Sequence, residues 1–167
     1  MPTYVSENFG LSSEQSILST LMFPIIGTAA VLLTTFLKNK VIRNEIVLAA
    51  MYLGICTLCV LGLLVLPKNY ILSTVLLTLV ITASMSANYV TINFIPIRFS
   101  RYGKVSLMAG MLNACTFLGS SLSAYSTALI KDGLGWSTVL LVWAALSVVG
   151  MLIALIPAKK LSHMGDK

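Results

Sequence analysis

Residues 70–131 read YILSTVLLTLVITASMSANYVTINFIPIRFSRYGKVSLMAGMLNACTFLGSSLSAYSTALIK. Two uncharged segments, Ile71–Phe94 and Val105–Ile130, flank a short basic loop that carries Arg98, Arg101 and Lys104. Each segment is long enough to cross a hydrocarbon core of about 30 Å as a helix. Neither is apolar all round. The first carries Ser73, Thr74, Thr78, Thr82, Ser84, Ser86, Asn88, Thr91 and Asn93; the second carries Ser106, Asn113, Thr116, Ser120, Ser121, Ser123, Ser126 and Thr127. Uncharged polar groups inside hydrocarbon need partners or water, so this hairpin is expected to face protein or a wet cavity.

The rest of the chain has the same character. Of its 167 residues 57% are hydrophobic and only 10% charged, with a mean hydropathy of +0.95. Soluble domains carry about 25% charged residues, which points instead to an integral membrane protein. Uninterrupted apolar runs suit helices, and the strict alternation of barrel strands is absent. The expected fold is therefore all-α: one membrane domain with helices at about 13–37, 46–66, 71–95, 105–130 and 137–157.

A net charge of +6 invites a nucleic-acid partner, but its distribution argues against one. Lys38, Lys40, Arg43, Arg98, Arg101, Lys104, Lys159, Lys160 and Lys167 follow the odd-numbered runs. The alternate side holds only Lys68 and Lys131, with acidic Glu7, Glu14 and Asp132. This is the positive-inside bias of a multi-pass protein in a cell membrane, with its C-terminus cytoplasmic and its N-terminus outside. Residues 1–16 show no basic n-region and no cleavage site, so a translocated N-terminus calls for either a preceding helix beyond this sequence, the favoured expectation, or an unusual insertion.

Local motifs refine the picture. Ser12 and Gln15 have capping-box spacing at the first helix start. Pro24 and Gly27 mark a tolerated kink in its outer half. Cys56 and Cys59 form C-x-x-C, but the only histidine is His163 and the third cysteine is Cys115, so both read as small packing residues. At about 100° per residue, Thr78, Thr82, Ser86, Tyr89 and Asn93 fall in one stripe. Ser84, Asn88 and Thr91 lie nearly opposite. The stripe is expected to face water, with Asn88 and Asn93 dividing the roles of wet and inner contact. In the fourth helix Ser106, Gly110 and Ala114 make a small-xxx-small packing row, repeated at Gly119 and Ser123. Counts of Ser, Thr and Asn across the charge-free runs Ile17–Leu37, Ile46–Leu66, Ile71–Phe94, Val105–Ile130 and Ser137–Pro157 are five, one, nine, eight and three. They mark the second and fifth as lipid-facing supports and the third and fourth as the wet side.

These features resemble the C-terminal half of a major facilitator superfamily transporter, from before the eighth helix through the twelfth. Thr35 to Arg43 is similar to the family's cytoplasmic loop motif: glycine, three residues, aspartate, a base, two residues, a base. Lys40 and Arg43 match the bases, while Asn39 stands at the aspartate position and Thr35 at the glycine. Gly110–Asn113, Phe117–Ser121 and Gly135-Trp136 look like the eleventh helix and its turn, and the overall cast is closest to the organophosphate–phosphate antiporter-like sugar-phosphate permeases. The resemblance implies most of one six-helix bundle of a twelve-helix carrier working by alternating access. It also implies a missing N-terminal bundle as partner, and a small solute, with an organic anion or sugar phosphate among the candidates. Without that bundle the chain is expected not to transport.

On this reading Asn88, Asn93 and Asn113 offer hydrogen bonds to the solute, and Tyr89 lines the cavity. No metal or cofactor is expected. A membrane enzyme would need a nucleophile with its base, or a ligand set such as H-E-x-x-H, and no such sequence occurs. The alternative is a truncated or non-transporting membrane scaffold or assembly protein.

Overall fold

The computed structural model describes residues 4, 7, 9, 10, 12, 14, 21–42, 44–66 and 69–162. Among these, every regular element is helical: α1 (Met22–Lys40), α2 (Glu45–Val65), α3 (Tyr70–Phe94), a 3-10 helix (Pro96–Tyr102) and α4 (Val105–Ser162). Three stretches, Glu45–Val65, Tyr70–Tyr102 and Val105–Ile156, are long and apolar enough to cross a membrane.

The helix boundaries have local causes. Asn44 and Asn69 precede α2 and α3 with extended backbone, and their side-chain oxygens accept from the N–H groups of Ile46 and Ile71 at 3.0 and 3.1 Å. Each satisfies one of the unpaired donors at a helix start. Gly103 stops the 3-10 helix in the left-handed region, at φ 64°, where a side chain would be strained. Pro24 lies in the first turn of α1, where its missing N–H costs no intrahelical bond.

The sequence ends the fourth helix at about 130 and reads Lys131-Asp132-Gly133-Leu134-Gly135 as an exposed turn, but the turn is shorter. Helix continues through Leu134, and Gly135 alone leaves it, at φ 79° and ψ 176°. Only glycine takes that conformation at little cost. The break divides α4 into an outer limb, 105–134, and an inner limb, 136–162. They fold back on each other, so that Ser123 and Ser126 share a groove with Val142 and Trp143. The inner limb also runs past Pro157, the expected end, to Ser162.

Helix α2 is the centre of the bundle, packed between α3 and the inner limb of α4. Half of its spanning window is buried, against 33% for α3 and 17% for α4. Leu48 and Val60 on α2, Leu77 and Val90 on α3, and Leu140 and Ala144 on the inner limb supply much of the core. This corrects the expected placing of the second helix as a lipid-facing support, whereas the fifth, the inner limb, keeps Leu146, Val149, Leu152, Ile153 and Ile156 exposed. A helix apolar on every side is suited to burial within protein as much as to lipid, and composition alone does not separate the two. Helix α1 lies against α3. It is fastened by Thr34 to Tyr52 Oη at 2.7 Å and by Thr35 to Tyr89 Oη at 3.2 Å.

Charge collects at both ends of α2. Glu45, at its start, pairs with Lys38 of α1 at 3.6 Å and with Arg98 of the 3-10 helix, and Lys38 sits 5.5 Å over the ring of Phe94. At the opposite end Glu7 accepts from Lys131 Nζ and Trp136 Nε1, each at 2.7 Å. Tyr4 packs edge-on against Trp136 with ring centroids 5.0 Å apart.

Candidate functional site

Between these charged ends, most polar side chains do one of two things. Most satisfy themselves: Thr74, Thr78, Thr91, Ser126 and Thr138 each donate to the carbonyl four residues back. Such local bonding lets a hydroxyl sit in an apolar helix without a partner elsewhere. A smaller set meets across helices, and the part of it that joins α2, α3 and α4 is the candidate site.

It begins inside the bundle. Ser147, on the inner limb, donates to the Trp143 carbonyl at 2.8 Å and reaches Cys56 Sγ of α2 at 3.6 Å. Cys56 Sγ lies 3.5 Å from Ser84 Oγ of α3. One turn further along α3 is Asn88, whose carboxamide oxygen accepts from Thr116 of the outer limb at 3.4 Å. Asn113 precedes Thr116 by three residues and so lies one turn away on the same limb. The groups run as a ladder across α2, α3 and both limbs of α4. Its inner end opens on a cavity of about 360 Å³ lined by Cys56, Val80, Ile81, Ser84, Met85, Trp143, Leu146 and Ser147.

Chemically the ladder is neutral. It offers hydroxyl, amide and thiol groups to a ligand and carries no charge. The groups that meet Cys56 are the hydroxyls of Ser84 and Ser147. The arrangement is suited to binding.

The sequence candidates are placed unequally. Asn88 is exposed and belongs to the ladder. Asn113 is exposed and makes no hydrogen bond to a described residue. Tyr89 is half-buried on the other side of α3, bonded to Thr35 and packed edge-on against Phe94. Asn93 is exposed, and its amide donates to the Tyr89 carbonyl at 2.9 Å. The middle of the expected wet stripe turns inward: Ser86 is 0% exposed, and the hydroxyls of Thr82 and Ser86 are buried with no hydrogen-bond partner among the described residues. Ser84 and Asn88, on the opposite side, are the exposed pair. The side of α3 toward α1 is thus the inner contact, and the side toward the outer limb of α4 is open.

Ser106, Gly110, Ala114 and Gly119 are exposed, and a Cβ added at Gly110 or Gly119 would meet nothing within 4 Å. Close approach occurs instead between α2 and the inner limb. There a Cβ on Gly54 would meet Met151 Sδ, and one on Gly150 would meet Leu53 Cδ1, each at 3.4 Å. In the loop motif, Asn39 and Lys40 are exposed at the end of α1, and Arg43 lies outside the described residues. Lys38, unassigned by the motif, is the base that pairs.

Sequence reasoning missed Cys56, Ser84 and Ser147 as a group, because they come from three helices at unrelated spacings. Glu45 was missed too, although an acidic residue directly after Asn44, among the bases Lys38, Lys40 and Arg43, is a signal the sequence carries. Comparison with protein-family models, with curated proteins and with solved structures finds no match to this chain.

Proposed function

We propose that this chain is a multi-pass protein of the cell membrane that supplies the solute-facing part of a secondary transporter. It is read as five spans, with the limbs of α4 counted separately, the N-terminus outside and the C-terminus cytoplasmic. It works by alternating access against a second bundle, in the manner of the major facilitator superfamily. The observation that carries this reading is the neutral ladder from Ser147 to Asn88 and Thr116. Polar groups that meet across apolar helices and end on an exposed face are what a solute path requires. The segregation of Lys38 and Arg98 from Lys131 to opposite ends of α2 supports the orientation.

The exposed outer limb favours a second reading, a scaffold that assembles other membrane helices on its row of small residues. One experiment separates the two. Cysteines placed at Asn88 and Asn113, in native membranes and without the native thiols, are treated with a hydrophilic, impermeant thiol reagent in right-side-out and inside-out vesicles. A transporter exposes both positions to water from each face in turn. Inertness from both faces would overturn the transport reading and leave the scaffold.

A further inference from the structure

We propose that the cavity at the inner end of the ladder binds a small, uncharged molecule with an apolar body and a single hydroxyl or amide. The proposal rests on the transport reading and names the solute class of that site. The volume of about 360 Å³ is at the small end of ligand pockets. Val80, Ile81, Leu146 and the half-buried ring of Trp143 form most of the wall, which suits a ring or a short branched chain.

The polar edge decides the rest. Unlike the hydroxyls that bond back to their own helix, Ser84 has, among the described residues, only the thiol of Cys56 for a partner, at 3.5 Å. Sulfur is a weak donor and a weak acceptor, so Ser84 keeps most of its hydrogen-bonding capacity for whatever enters. Ser147 has spent its proton on the Trp143 carbonyl and presents lone pairs. A ligand hydroxyl or amide can accept from the first and donate to the second. A carboxylate or an ammonium would shed its water in a wall with no opposite charge, a penalty this edge does not repay. Lys38 and Arg98 are committed to Glu45 at the end of α2. The cavity therefore discriminates against both signs of charge.

Trp143 reports on occupancy. In the full chain with Trp136→Phe, the other tryptophan is removed, and a brominated ligand in the cavity quenches the remaining one. The probes are 4-bromobenzyl alcohol, 4-bromobenzoate, 4-bromobenzylamine and 4-bromotoluene, titrated into protein in nanodiscs. Saturable quenching by the alcohol is expected, with affinity at least about tenfold above the two charged analogues. Ser84→Ala keeps the cavity and removes the donor, so it should weaken the alcohol roughly three- to tenfold and leave 4-bromotoluene unchanged. Ser84→Leu fills the space and should abolish saturation for both. Linear quenching by the alcohol, indifferent to either substitution, would mean partition into lipid and overturn the proposal. Equal affinity for 4-bromobenzoate would overturn it as well, and would leave the transport reading standing if Asn88→Cys is reached from water. Selective alcohol binding with Asn88→Cys inert would uphold the cavity and sink the transport reading instead.

Discussion

The hydroxyl of Thr116 donates to the carboxamide oxygen of Asn88 across 3.4 Å, joining the outer limb of α4 to α3. The bond is long, and Thr116 has a better acceptor in the Leu112 carbonyl at 2.9 Å. The outer limb is therefore held to α3 lightly. Thr116→Val should cost less than about 1 kcal/mol of stability, measured by thermal unfolding in detergent. A loss of several kcal/mol would show that this contact holds the hairpin closed.

Glu45 is expected to matter far more. Its side chain is 9% exposed and meets Lys38 and Arg98, drawn from α1 and the 3-10 helix. Glu45→Ala leaves two cations facing each other without a counter-charge. Removing one partner of a buried pair costs roughly 3–5 kcal/mol, and the partial exposure of Arg98 places this case near the lower end. Arg98→Met added to Glu45→Ala should recover part of the loss, because one stranded charge is then gone. No recovery in the double variant would show that Glu45 acts through packing alone.

At the other end of α2, the tether from Glu7 to Lys131 and Trp136 should respond to acid. Hydrogen bonds from Lys131 and then Trp136, with the Lys131 charge, hold the Glu7 carboxyl below the usual carboxylate range. A lowered pKa means that folding favours the charged form. The tether's contribution is present above the ordinary glutamate value of about 4.3 and is lost as pH falls through the lowered one. With Trp143→Phe, Trp136 fluorescence should stay constant from neutral pH down past that ordinary value and change only below it. Glu7→Gln should remove the transition. A transition above the ordinary value would contradict the pairing.

Ser86 should be dispensable. Its hydroxyl is fully buried and has no partner among the described residues. An unsatisfied buried hydroxyl costs about 1–3 kcal/mol, so Ser86→Ala should be neutral or raise the melting temperature. Marked destabilisation would mean that the hydroxyl has a partner in the membrane.

How far the sequence carried the fold can be judged at particular residues. The length of apolar runs located α2 and α3, because hydrocarbon thickness and helix rise set that length directly. The turn at Gly135 was misread as a five-residue loop, since Lys131, Asp132 and Gly133 have loop chemistry yet remain helical. The centrality of α2 was hidden for a physical reason. Lipid and protein interior make nearly the same demand on a side chain, so Leu48 and Val60 look alike in either setting. Within the site, Asn88 was legible as an amide that needs a partner. Which face of α3 it shared with Ser84 followed from helical spacing. That Cys56 and Ser147 meet that face did not, because their meeting depends on how α2 and the inner limb pack.

The measurement that bears most directly on the central claim is a cysteine scan of α3 from Ala83 to Val90. It is done in native membranes, in a chain with Cys56, Cys59 and Cys115 replaced by alanine, using a hydrophilic and impermeant thiol reagent. The structure exposes Ser84 and Asn88 on the side toward the outer limb of α4 and buries Ala83, Ser86, Ala87 and Val90. Reactivity should therefore peak at positions 84 and 88, with the buried positions protected. Reaction at position 86 while 84 and 88 stay inert would put water on the α1 side of α3, and the ladder would then not be the solute path.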